Sequence, residues 1–140
     1  QGDTAIKIAK INSIGALRAE AEKIRSYGGG LLPAFKGERV GGYEMEYIEG
    51  VPLQNWMKTG GKIPTEIYLQ ARSELIELGK RGFIHGELYS PSSYVLQLNQ
   101  AGNPDRLRVV DPIGATSQYY TLQADLKHFD DLFKGILAGN

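Results

Sequence analysis

Gly82-Phe83-Ile84-His85-Gly86-Glu87-Leu88-Tyr89-Ser90-Pro91 is the stretch on which the fold turns, because it separates a helix from a hairpin and carries a histidine and a carboxylate. Upstream, Pro64 or Thr65 opens a helix running to about Arg81, with Tyr68, Ala71, Leu75 and Leu78 along one face and Gly82 as its stop. Downstream, the pattern predicts a strand near Tyr94 to Leu98, a turn over Asn99 to Arg106 and a strand from Leu107 to Val110. The second strand runs into Asp111-Pro112-Ile113-Gly114, a turn with an acid at its head. Read alone, Glu87 is a capping acid and Asp111 a turn acid. Read together with what precedes them, they are candidates for chemistry.

What precedes them is strand-rich. Ala5-Ile6-Lys7-Ile8-Ala9-Lys10 alternates, with Ile6 and Ile8 on one face and Lys7 between alanines on the other. Ser13 is placed to cap a helix to about Tyr27, in which Leu17, Ala21 and Ile24 form an apolar stripe that Glu20 shares and Glu22 does not. Gly28, Gly29 and Gly30 end that helix. Strands are expected over Leu31 to Phe35 and Val40 to Tyr47, joined by a Lys36-Gly37-Glu38-Arg39 turn. Glu49-Gly50-Val51-Pro52 reads as a linker, and a short helix follows over Leu53 to Met57. At the other end, Leu122, Leu126, Phe129, Phe133 and Ile136 keep the helical period to about Leu137. The order predicts an α+β chain of two small lobes with a cleft between them, residues 1–48 in the first and 49–140 in the second.

Composition narrows the function classes. The 140 residues suit one compact unit. Sixteen basic and sixteen acidic side chains cancel, so no overall field draws the chain to nucleic acid or an anionic membrane. The absence of cysteine excludes disulfides and thiolate metal sites, and His85 and His128 lack the ligand spacing of a zinc site. No apolar run reaches the roughly twenty residues that span a bilayer, which predicts a soluble chain without a membrane span. Opening on a strand without an initiating Met suggests a piece of a longer protein.

Five segments, in order, resemble the landmarks of the protein-kinase-like superfamily. Ala5-Ile6-Lys7 resembles its lysine strand, and the helix bearing Glu20 resembles the helix whose glutamate pairs with that lysine. Tyr43-Glu44-Met45-Glu46-Tyr47-Ile48-Glu49-Gly50 is similar to the hinge, and His85-Gly86-Glu87-Leu88 to the catalytic loop. Asp111-Pro112-Ile113-Gly114 is similar to the Asp-Phe-Gly turn. Without that order, Lys7 is an ordinary strand lysine, Glu20 a surface acid and the hinge segment an edge strand.

The resemblance implies a two-lobed kinase-like fold in minimal or truncated form, with ATP and magnesium as cofactors. Lys7 and Glu20 would organise the phosphates, and the backbone at Glu46 and Ile48 would meet the adenine behind a Met45 gatekeeper. Glu87 would orient the attacking hydroxyl, Asp111 would hold magnesium, and Ser93, or Ser92 in an alternative alignment, would stand where the family places an asparagine ligand. His85 and Asp125 would brace the loop. Glutamate at 87 keeps the charge of the family's aspartate and moves the carboxylate about one methylene outward.

Other family features are missing. No Gly-x-Gly-x-x-Gly stands before Lys7, Gly28 to Gly30 follow a helix instead of opening one, and Gly60-Gly61-Lys62 lacks the Walker spacing. Only Ala115 to Thr121 separate Gly114 from the last helix. Such brevity resembles the minimal kinases that some bacterial pathogens secrete into host cells. The first function implied is an atypical protein Ser/Thr kinase with a protein substrate. The alternative is a pseudokinase that binds a partner protein, and a third reading, from His85-Gly86 and Asp111-Pro112, is a small-molecule kinase.

Overall fold

The computed structural model describes residues 4–8, 14–110 and 121–139. The chain is α+β, with two three-stranded antiparallel sheets. The first has the order β1-β3-β2, built from β1 (Thr4–Ile8), β2 (Phe35–Arg39) and β3 (Gly42–Glu46), and α1 (Ile14–Tyr27) packs on it. The second has the order β4-β5-β6, from β4 (Val51–Pro52), β5 (Tyr94–Leu98) and β6 (Pro104–Val109). Between β4 and β5 the chain forms α2 (Leu53–Lys58) and α3 (Thr65–Lys80), and α4 (Leu122–Phe133) packs across α3.

α1 follows its stripe: Ile24 and Glu20 are buried while Glu22 is exposed. The helix ends where the Gly28 N–H donates to Ile24 O at 2.7 Å. A Cβ on Gly28 would lie 2.3 Å from that oxygen and 2.4 Å from Pro33 O, both rigid backbone. Gly28→Ala is therefore expected to cost about 2–3 kcal/mol, read as a lower urea midpoint at unchanged slope, from forced backbone displacement. Gly15→Ala, where an added Cβ would meet nothing within 4 Å, should leave the midpoint in place.

The first hairpin differs from the expected one. Lys36 to Arg39, read from sequence as the turn, lie in β2, and the turn is Val40-Gly41 with Gly41 at φ 78°. A two-residue hairpin needs a residue with positive φ there, and Gly41 supplies it, whereas Gly37 is accommodated as a register shift against β3. Leu31 and Leu32, expected in a strand of this sheet, are buried instead in the main core beneath the second. Val109 N–H donates to Leu31 O at 2.8 Å, so the segment after α1 is tied to β6.

The second half keeps closer to expectation. α3 buries Ile67, Ala71, Leu75 and Leu78, and Gly82 leaves it with φ 106°. Val51 and Pro52, read as linker, pair with β5 as an edge strand; Pro52 is tolerated at that end of the ladder. β6 starts at Pro104, earlier than expected, because the Asn99 side chain closes the turn by accepting from the backbone of Ala101 and Asn103. α4 begins with Thr121 Oγ1 accepting from Ala124 N at 3.1 Å. It ends at Phe133, short of Leu137, because the following backbone pairs with Ile63 through Ile63 N to Ile136 O and Ala138 N to Ile63 O, both 2.8 Å. Arg72 grips both carboxylate oxygens of Asp130, at 2.9 and 3.1 Å, and ties α3 to α4.

Candidate functional site

Where the chain passes from the first sheet to the second, between Glu46 and Val51, it borders a cavity of about 380 Å³. Ala5 of β1 and Met45 of β3 line it from one sheet, Val95 of β5 and Val110 from the other, and Tyr47, Ile48 and Gly50 from the connection. This size and this mostly apolar lining are those of a small-molecule site. Gly50 sits tight against β5, since a Cβ there would stand 2.6 Å from Leu96 O. The connection is thereby kept close to the second sheet.

Glu46 and Ile48, both singled out from the sequence, lie on this border, but the Glu46 side chain has a structural task. Arg108, buried in β6, donates to Glu46 through Nη2 to Oε1 at 2.7 Å and Nη1 to Oε2 at 3.0 Å, and also to Leu32 O at 3.0 Å. Ala34 N–H donates to the same carboxylate at 3.2 Å. The Arg108 bond holds the Glu46 carboxyl below its ordinary range; burial opposes this, and the Ala34 bond reinforces it. The Glu46 side chain and N–H are thus both engaged within the protein, the N–H donating to Ala34 O at 2.8 Å.

Glu20 faces β3. The Tyr43 hydroxyl donates to Glu20 Oε1 and lies 3.8 Å from Met45 Sδ. Tyr43 is directly opposite Lys7 in the β1–β3 register, which brings the Lys7 backbone beside the residue that meets Glu20. α1 is further fixed to β2 by Arg25, whose Nη2 is 2.6 Å from Glu38 and whose guanidinium lies 4.5 Å over the Phe35 ring.

The loop after α3 is braced from α4. Asp125, 1% exposed, accepts from His85 N at 2.7 Å and from Gly86 N at 2.9 Å. His85 Nδ1 accepts from Glu87 N at 3.1 Å, and its Nε2 faces Val110 O at 3.5 Å, which makes Nε2 the protonated nitrogen. Ser93, also buried, donates from Oγ to Glu87 O at 3.0 Å. Tyr94 donates to Leu88 O at 2.7 Å, and burial, with the Asp125 charge second, pushes its hydroxyl pKa up. The Glu87 carboxylate projects from this framework and is exposed.

Val110 is held on both sides, its N–H on Ser93 O at 2.8 Å and its C=O facing His85. The backbone leading to Asp111 is thus attached to the loop that carries Glu87. Asp111 itself lies outside the described residues. No protein-family model and no curated protein matches this chain.

The structure therefore brings Glu46 and Ile48 to one cavity, Glu20 to the β3 residue opposite Lys7, and Glu87 and Ser93 to one braced loop linked to that cavity through Val110. Among the described residues no group of three or more His, Cys, Asp or Glu could hold a metal ion. No described helix is long and apolar enough to cross a membrane. Sequence reasoning passed over Tyr43 and Arg108. Tyr43 could have been found from the register, since it falls two residues before Met45 on the same strand face. Arg108, a charge among Leu107, Val109 and Val110 in a strand, was itself the signal of a buried partner.

Proposed function

We propose that this chain is an ATP- and magnesium-dependent phosphotransferase of minimal, two-lobed, protein-kinase-like architecture, acting on protein Ser or Thr hydroxyls. The observation that carries the reading is the cavity between the sheets, bordered by Glu46 and Ile48 and joined through Val110 and His85 to the loop bearing Glu87. A cavity of about 380 Å³ with aliphatic walls fits a purine ring. In this reading the adenine stacks between Ala5 and Val95 and bonds the backbone of the connection. Lys7 and Glu20 set the phosphates, and Asp111 holds magnesium. The γ-phosphoryl group passes to the substrate hydroxyl oxygen, whose proton moves toward Glu87, and ADP leaves.

The test is thermal unfolding with ATP, with and without magnesium, on wild type, Asp111→Asn and Val95→Trp. Ligand near a hundred times its Kd should raise the wild-type Tm by about 5 °C or more, with a larger rise when magnesium is present. Filling the cavity with Val95→Trp should abolish the shift, and Asp111→Asn should remove its magnesium dependence. A wild type that does not respond to ATP would overturn the reading.

A second reading, a pseudokinase that binds a partner protein, is favoured by one observation. The Ser93 hydroxyl, at the position offered for a metal ligand, is buried in the loop and turned toward Glu87 O. In that case ATP stabilises the protein equally with and without magnesium, or not at all.

A further inference from the structure

Two unlike contacts among the described residues help attach the helix that carries Glu20 to its sheet, and one of them ends on Glu20 itself. Glu20 is 8% exposed and Tyr43 1% exposed, so the hydrogen bond between them is shielded from water. Tyr43 is a short, stiff donor arm: its ring stacks on Phe35 with centroids 6.1 Å apart and planes 18° from parallel. Its backbone stands opposite Lys7 in the ladder. The second contact, Arg25 on Glu38 and over Phe35, fixes the C-terminal turn of α1 to the same part of the sheet. Moving α1 away would leave a phenol and a carboxylate buried without each other, an unfavourable state in a low dielectric.

We propose that Tyr43 is a positioning residue that sets the Glu20 carboxylate, and with it α1, in the place from which Glu20 serves the nucleotide site. This rests on the phosphotransferase reading above and adds to it a residue that acts on the nucleotide site through Glu20. A carboxylate already held in place spares binding the cost of ordering it. The ring does not touch the ligand in this account and acts only through Glu20.

The experiment is a double-mutant cycle on Mg·ATP affinity, using wild type, Tyr43→Phe, Glu20→Gln and the double variant, with urea unfolding run on each. Tyr43→Phe keeps the ring and its stacking and removes only the hydroxyl. It should weaken Mg·ATP binding about tenfold, the scale of one hydrogen bond to a charged group. The double variant should bind no more weakly than Glu20→Gln alone, because the hydroxyl acts through that carboxylate. Equal affinity in wild type and Tyr43→Phe, with only stability lowered, would assign Tyr43 a purely structural role and overturn the proposal while leaving nucleotide binding intact. Additive losses would also overturn it. A wild type that fails to bind Mg·ATP removes both this proposal and the reading beneath it.

Discussion

Asp125→Ala should lower unfolding stability by about 3–5 kcal/mol, because it leaves the His85 and Gly86 N–H groups buried without an acceptor, each costing about 1–3 kcal/mol. The carboxylate accepts at 2.7 and 2.9 Å from a position 1% exposed, so water cannot take over either bond without opening the loop. Asp125→Asn keeps one acceptor oxygen and should lose roughly half as much. Urea unfolding read by the fluorescence of Trp56 measures both. Asp131→Ala on the same helix, an exposed partner of Lys127, should leave the midpoint unchanged. If Asp125→Ala falls with Asp131→Ala instead, the brace is not what holds the loop.

Arg108→Met should cost about 3 kcal/mol, chiefly by removing the two charged donors that compensate the partial burial of Glu46 and leaving it only the Ala34 N–H. Combining it with Glu46→Gln should recover part of that loss, since the stranded charge is then gone. The pair also predicts how stability depends on pH. The Glu46 carboxyl is held below its ordinary value of 4.5, first by the Arg108 bond, against burial and with help from Ala34. A carboxylate with a depressed folded-state pKa contributes stability that is present above 4.5 and is lost as pH falls through the lower folded value. Stability measured from pH 7 down to about pH 3 should therefore fall less steeply in Glu46→Gln than in wild type. Equal slopes would mean that the pair is not formed in solution.

The elements with long, regular apolar spacing were legible in the sequence. α3 and α4 announce themselves by residues such as Leu75, Leu78, Phe129 and Phe133 at helical intervals, and β5 by its alternation between glycine- and proline-marked turns. The first hairpin was misjudged because Lys36-Gly37-Glu38-Arg39 has turn composition, while its actual turn, Val40-Gly41, contains a β-branched residue that strands favour. Local propensity lost there to the pairing of Glu38 with Tyr43 and Arg39 with Gly42. Leu31 and Leu32 were assigned by nearness in sequence to the first sheet, and no local signal announces that their side chains enter the other core. The end of α4 depended on a backbone bridge to Ile63, some seventy residues away, which periodicity cannot register.

The candidate site divides the same way. Glu20 lies on the buried stripe that its helical phase predicts, because helical phase is local, and Asp125 accepts from the loop backbone as the resemblance implied. What the sequence withheld was the identity of a partner at two carboxylates: Tyr43 for Glu20 and Arg108 for Glu46. Such pairs join residues 23 and 62 positions apart, so they are properties of the folded chain alone.

The burial of Leu31 and Leu32 has a consequence for how the molecule comes apart. These two side chains belong to the chain between α1 and β2, yet their contacts and the carbonyl of Leu31 belong with β6. Pulling the segment between α1 and β2 off β6 withdraws two leucines from the core beneath the second sheet, which couples the opening of the two halves. Amide hydrogens at the centre of β3 and of β6 should then exchange through the same global opening. Small changes in the width of the cleft between the sheets are left to the side chains that line it.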